Sequence, residues 1–234
     1  MKRHGRWLVR IPGRKKRFAL AGALAILCVA PPGLGVVIGF TGITLTNPTN
    51  VAAGEQQLWM EVRSPQDAQI EFTFHNTGEA ASVITHIYFE HGSLESMVSI
   101  GSSGGVLFSE DAKPKKLTGG NSLTPAFRTA FSIEADSPAQ NNGVVNDPLA
   151  TGVWVRALFG LQTGATYDAV LQQLHSGQFR VGLRVQGFGG GNESFVNRAG
   201  PPEHVPEPAT LAFGLAGVCV AVLSRQDRVR PQVR

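Results

Sequence analysis

Four histidines between Gly54 and Gly200 (His75, His86, His91 and His175) have the side chain most suited to metal or acid–base chemistry. His86 and His91 bracket Glu90, a set that would approach a zinc site if the side chains converged. On a strand that turns before Gly92 they need not converge, and two imidazoles without a third firm ligand fall short of one. No HExxH, GxSxG or Walker-type pattern surrounds any of the four, so no catalytic residue, metal centre or cofactor is expected and the chain does not read as an enzyme. The two cysteines, Cys28 and Cys219, lie in apolar runs near the termini, leaving residues 54–200 without thiolate chemistry or a disulfide.

Carboxylates and aromatic rings offer other chemistry. Glu110-Asp111 lies beside Lys113, Lys115 and Lys116 and reads as a solvated charge patch rather than an acid–base pair. Asn146-Asp147, and Asn192-Glu193 after Gly189-Gly190-Gly191, could offer oxygens to calcium, but neither has the repeated Asp spacing of a calcium loop. Sugar rings stack on aromatic faces, which makes Trp59 and Tyr88 candidate glycan contacts. Trp154, between Val153 and Val155, is expected in the core.

Strands must position these residues. Ile70, Phe72 and Phe74 alternate with Gln69, Glu71 and Thr73, then a turn follows at Asn76-Thr77-Gly78. Val83, Ile87 and Phe89 share one face of the next run, with Ile84, His86 and Tyr88 on the other. Val153, Val155, Ala157 and Phe159 form a third set; Phe179, Val181, Leu183 and Val185 form a fourth, with Arg180, Arg184 and Gln186 facing out. Shorter runs at 58–62, 97–100, 106–108 and 127–133 bring the expected strands to about eight. One helix is predicted over Tyr167–His175, capped by Thr166 and ended by Gly177. The segment 136–151 reads as a loop. The pattern predicts a mainly β chain, an antiparallel β-sandwich with one short helix, flanked by terminal apolar targeting helices.

The net charge of +4 suggests an acidic partner until it is divided along the chain. Residues 54–200 hold nine Lys and Arg against fourteen Asp and Glu, a balance of −5, and nucleic-acid binding is not expected. The basic excess belongs to the ends. Eight basic residues precede the apolar run Phe18–Ala30 and the helix-stopping Pro31-Pro32, the three-part form of an export signal. The apolar stretch Gly35–Phe40 could extend that run, and Val51-Ala52-Ala53 has the small residues of a cleavage point. At the other end, Ala209–Leu223 is uncharged and, at about 1.5 Å per residue, reaches roughly 22 Å, short of a hydrocarbon core of about 30 Å. Arg225, Arg228 and Arg230 follow as a cytoplasmic basic stop.

Val205-Pro206-Glu207-Pro208, followed by that apolar run and arginines, resembles the PEP-CTERM sorting signal of bacterial exosortase substrates. The looser pair Val185-Gln186-Gly187-Phe188 and Asn192-Glu193-Ser194-Phe195 looks like a module recurring in such surface proteins. The resemblance implies recognition of Pro-Glu-Pro by a membrane-embedded exosortase, export by a translocon, transient inner-membrane anchoring, and delivery to the cell surface or an exopolysaccharide matrix. Three regions are then expected: an export signal and leader over 1–53, a β-sandwich ectodomain over 54–200, and the sorting signal over 201–234. The ectodomain is expected to be structural or adhesive; the alternative is a carbohydrate-binding module or a secreted hydrolase.

Overall fold

A computed structural model describes residues 35–149, 151–189 and 191–200. The first elements are β1 (Val36–Gly42), α1 (Pro48–Gln57), β2 (Leu58–Arg63), β3 (Gln69–Asn76), β4 (Val83–Phe89) and β5 (Leu94–Ser102). The chain continues through β6 (Phe108–Glu110), a 3₁₀ turn (Gly120–Ser122), β7 (Phe131–Ala135), α2 (Ala139–Asn142) and β8 (Val144–Val145). It ends with β9 (Val155–Leu161), α3 (Tyr167–Ser176), β10 (Val181–Phe188) and β11 (Gly191–Asn197). Among the described residues eleven strands stand where about eight were expected, because β1, the two-residue β8 and the glycine-led β11 carry little alternation of their own.

All pairings are antiparallel, and one continuous sheet runs β5-β9-β3-β2-β1-β11-β10-β4-β7-β6, with β8 paired to β4. The strands at its two ends, β5 and β6, are consecutive in the chain and joined only by residues 103–107. That connection spans roughly 20 Å at most, so the ends are held near one another and the sheet is nearly closed into a barrel. The seam is β1: Val36–Gly39 pair with β2, and Phe40–Gly42 pair with β11. Val36–Phe40 of the apolar stretch Gly35–Phe40 thus lies in β1, an interior strand of the sheet upstream of Gly54.

Alternation decides which side chains enter the core. In β3, Ile70, Phe72 and Phe74 are fully buried while Glu71, Thr73 and His75 stay partly exposed. Phe72 of β3 meets Phe89 of β4 at 5.5 Å between ring centroids, and Phe159 of β9 meets Phe89 at 4.8 Å and Phe131 of β7 at 5.3 Å. These strands lie far apart in sheet order, so the contacts join opposite walls. On β4 the simple alternation breaks. Arg184 pairs with His86 but Val185 pairs with Ile84, a bulge that skips Thr85. The extra residue turns Ile84 into the main core with Ile87 and Phe89, away from the face of His86 and Tyr88 where strict period two placed it.

Two further helices join the expected one. α1 starts at an Asn47 cap with Pro48 in its first turn, and its small residues serve close packing: a Cβ on Gly54 would collide with the Phe195 ring. Val51-Ala52-Ala53, the run with the small residues expected of a cleavage point, lies inside this helix. α2 sits in the segment read as loop. α3 follows its sequence signals: the Thr166 side chain accepts from the Ala169 N–H, and Gly177 closes the helix at φ 71°, where a Cβ would be strained. Among the described residues no helix is long and apolar enough to cross a membrane.

Candidate functional site

The histidine set does not converge. His86 is buried; its Nε2 lies 3.0 Å from the Lys113 carbonyl, which can only accept, so Nε2 carries the hydrogen and Nδ1 faces the Thr85 hydroxyl at 2.9 Å. Burial holds its pKa below 6.5, aided by Arg184, while the Lys113 carbonyl and Glu134 at 3.6 Å oppose the shift. Glu90 turns instead to Arg180, which donates to both its oxygens at 2.8 and 2.7 Å. His91 is exposed beside Gln162. Arg180, placed outward by strand parity, is therefore a buried cation: a long loop over residues 111–130 covers that part of the sheet and supplies Pro125 and Ala126 carbonyls to the guanidinium.

Both calcium candidates are engaged within the fold. Glu193 is 1 % exposed and accepts from the Thr44 hydroxyl at 2.8 Å and the Asn47 N–H at 2.8 Å, fastening the segment that leads into α1. Asp147 accepts from the Thr151 hydroxyl and the Gly152 and Val153 N–H groups. Hydrogen bonding from the Thr151 backbone first, then from Gly152 and Val153, holds its carboxyl below the usual carboxylate range against the opposing effect of desolvation. Among the described residues no three His, Cys, Asp or Glu side chains are grouped to hold a metal ion.

The aromatic candidates separate. Tyr88 is fully buried in a small second core with Ala112, Leu117, Phe127 and Val196, and its hydroxyl donates to the Pro114 carbonyl at 2.9 Å. Burial pushes its phenol up to about 12, and no ring face is left for a sugar. Trp154 is partly exposed rather than in the core, because Val155 takes the inward position and Arg156 lies over the indole at 5.4 Å.

Trp59 remains, on the outer face of β2, and its register neighbours make the site. His75 of β3 pairs with it and stacks at 3.9 Å with an interplanar angle of 11°. The indole Nε1 donates to the Thr77 hydroxyl at 2.9 Å, so the ring is held from two sides. Burial lowers the His75 pKa from its ordinary value, with Arg63 adding to the shift and Glu61 opposing it, which favours the neutral imidazole in the stack. On β1 the residue paired with Trp59 is Gly39, whose missing side chain opens a groove of about 390 Å³. Trp59, Val37 and Leu58 form its apolar lining; Glu55 and Gln56 of α1 and Arg198 give it polar partners. A Cβ at Gly39 would stand 3.8 Å from the Arg198 guanidinium, in the space of the groove. Across the stack, Trp59 and His75 also line a 160 Å³ cavity with Thr77 and Asp147. A fixed indole beside a guanidinium, a carboxylate and a carboxamide can take the apolar face of a pyranose while hydrogen-bonding its hydroxyls.

Trp59 was identified from its residue type alone. Gly39, Glu55 and Arg198 were not singled out in the sequence, since only the pairing of β1 with β2 brings Gly39 to Trp59, and only the turn of α1 brings Glu55 there. The sorting residues Val205, Pro206, Glu207 and Pro208 and the basic stop at Arg225, Arg228 and Arg230 lie outside the described residues. Comparison with protein-family models, with curated proteins and with solved structures found no match to this chain.

Proposed function

We propose that this chain is an exported bacterial envelope or extracellular-matrix protein, processed by an exosortase at its C-terminal sorting signal and displayed as a non-catalytic, structural or adhesive, mainly β module. The observation that carries the reading is the ordered triplet of Val205-Pro206-Glu207-Pro208, the apolar run 209–223 and the arginines after it. It is supported by the last strand among the described residues ending at Asn197, upstream of that signal. Proline has no backbone donor and disfavours helix in the residue before it, so a Pro-Glu-Pro motif is suited to being read as an extended segment around its one charge, Glu207. In a cell that has the processing enzyme, Glu207→Ala should leave export and insertion intact and block tail removal. With one epitope in the body and another after Arg230, wild type loses the distal epitope and the variant keeps both in the inner-membrane fraction; identical processing would refute the sorting reading.

A second reading, glycan binding by the body, is favoured by one observation, the groove opened beside Trp59 by Gly39. A saturable, sugar-specific signal on a glycan array, abolished by Trp59→Ala, is the expected result. An unchanged signal in that variant would remove the groove from the account.

A further inference from the structure

Four of the nine cations in residues 54–200 (Lys113, Lys115, Lys116 and Arg128) fall within sixteen residues of one loop, on a body whose balance is −5. Elsewhere Arg63, Arg156 and Arg180 pair with Glu61, Glu71 and Glu90. Among the described residues no carboxylate lies within ion-pair distance of Lys115, Lys116 or Arg128. These three instead line a single pocket of about 390 Å³ with Asn121, Phe127 and Thr129. Gathering like charges around one hollow without a counter-charge is unfavourable unless an anion enters.

The loop that carries them is pinned from below. His86 Nε2 donates to the Lys113 carbonyl at 3.0 Å, and the Tyr88 hydroxyl to the Pro114 carbonyl at 2.9 Å. Arg180 donates to the Pro125 carbonyl at 2.8 Å and the Ala126 carbonyl at 3.2 Å, and Glu90 accepts from the Arg128 N–H at 2.9 Å. Four buried side chains of the sheet and its edges thus set the backbone on both sides of the pocket. Such fixing lowers the ordering cost that a ligand would otherwise meet.

We propose that this pocket binds a carboxylate-bearing sugar unit, a uronate, of an acidic polysaccharide. The three cations take the carboxylate, and the Asn121 amide and Thr129 hydroxyl take ring hydroxyls. A bare phosphate would fill only a small part of a hollow of this size, whereas a sugar ring carrying a carboxylate occupies it. The acidic body has no basic stripe to follow a nucleic-acid backbone. The site is separate from the Trp59 groove and independent of the sorting signal.

The full chain, held in a zwitterionic detergent, is titrated calorimetrically at low ionic strength with trigalacturonate, maltotriose and inorganic phosphate. Trigalacturonate should bind and weaken with added salt, and any maltotriose binding should be unchanged by Lys116→Gln/Arg128→Gln. That double variant should bind trigalacturonate about tenfold more weakly with an unchanged unfolding midpoint. Lys116→Arg/Arg128→Lys, which keeps the charge, should retain binding, as should Trp59→Ala. Absence of trigalacturonate binding, equal binding of phosphate, or loss with Trp59→Ala but not with the double variant would each overturn the assignment.

Discussion

Removing residues 1–53 should destroy the fold, whereas a chain of residues 35–200 should keep it. The cut at Gly54 deletes β1, which pairs with β2 on one edge and β11 on the other and so holds the two halves of the sheet together. Ile38, Phe40 and Val51 are lost from buried positions; at about 1.5–3 kcal/mol for each large apolar side chain, that is roughly 5–9 kcal/mol. The same cut strips the buried Glu193 carboxylate of the Thr44 and Asn47 donors and exposes Met60, Val62 and Phe195 along the broken seam. Since domains of this size are stable by about 5–15 kcal/mol, the loss takes most or all of the margin. Far- and near-ultraviolet circular dichroism with thermal unfolding reads the result: a cooperative transition for 35–200, and none, or one far lower, for 54–200. Equal midpoints for the two chains would refute the placing of β1 at the seam. Under the export proposed above, the same logic predicts that N-terminal sequencing of the mature chain finds its first residue before Val36 rather than after Ala53, since cleavage there would excise a central strand.

Three other outcomes follow from the packing. Arg180→Ala leaves Glu90 charged and buried and frees two loop carbonyls, and should cost about 3–5 kcal/mol by urea unfolding, against less than about 1 kcal/mol for the exposed Arg63→Ala. His75 and His86 both have pKa values lowered mainly by burial, so the unfolded chain takes up their protons first as pH falls. Stability should therefore decline as pH drops through about 6.5, and a denaturation midpoint that stays flat between about pH 7 and 5 would contradict the burial of His86 and the partial burial of His75. Gly54→Ala would favour α1 in isolation by about 1 kcal/mol, yet its Cβ meets the Phe195 ring; a net loss of about 1–3 kcal/mol is expected, and a raised melting temperature would contradict the seat of α1 on β11.

The strands most visible in the sequence are those whose burial alternates residue by residue: β3, β9 and β10 follow their period-two patterns, and α3 follows its Thr166 and Gly177 signals. Where a strand is short, led by glycine or covered on both faces, alternation carries too little information. β1 escaped notice because an apolar run after an export-like segment has the same composition whether it spans lipid or the middle of a sheet. The Trp59 candidate was half legible, its ring evident and its groove not, because the groove is made by a missing side chain on another strand.

Local chemistry, then, was determined by the sequence alone: side-chain periodicity, helix caps, the acidic balance of the body and the Pro-Glu-Pro motif all depend on residues near one another in the chain. Register, the Thr85 bulge and the direction of Arg180 were decided only by the tertiary structure. Period-two reasoning states that Arg180 leaves the core face, and it does. Whether water or a covering loop waits on that side depends on residues 111–130, and no local pattern near Arg180 encodes their position.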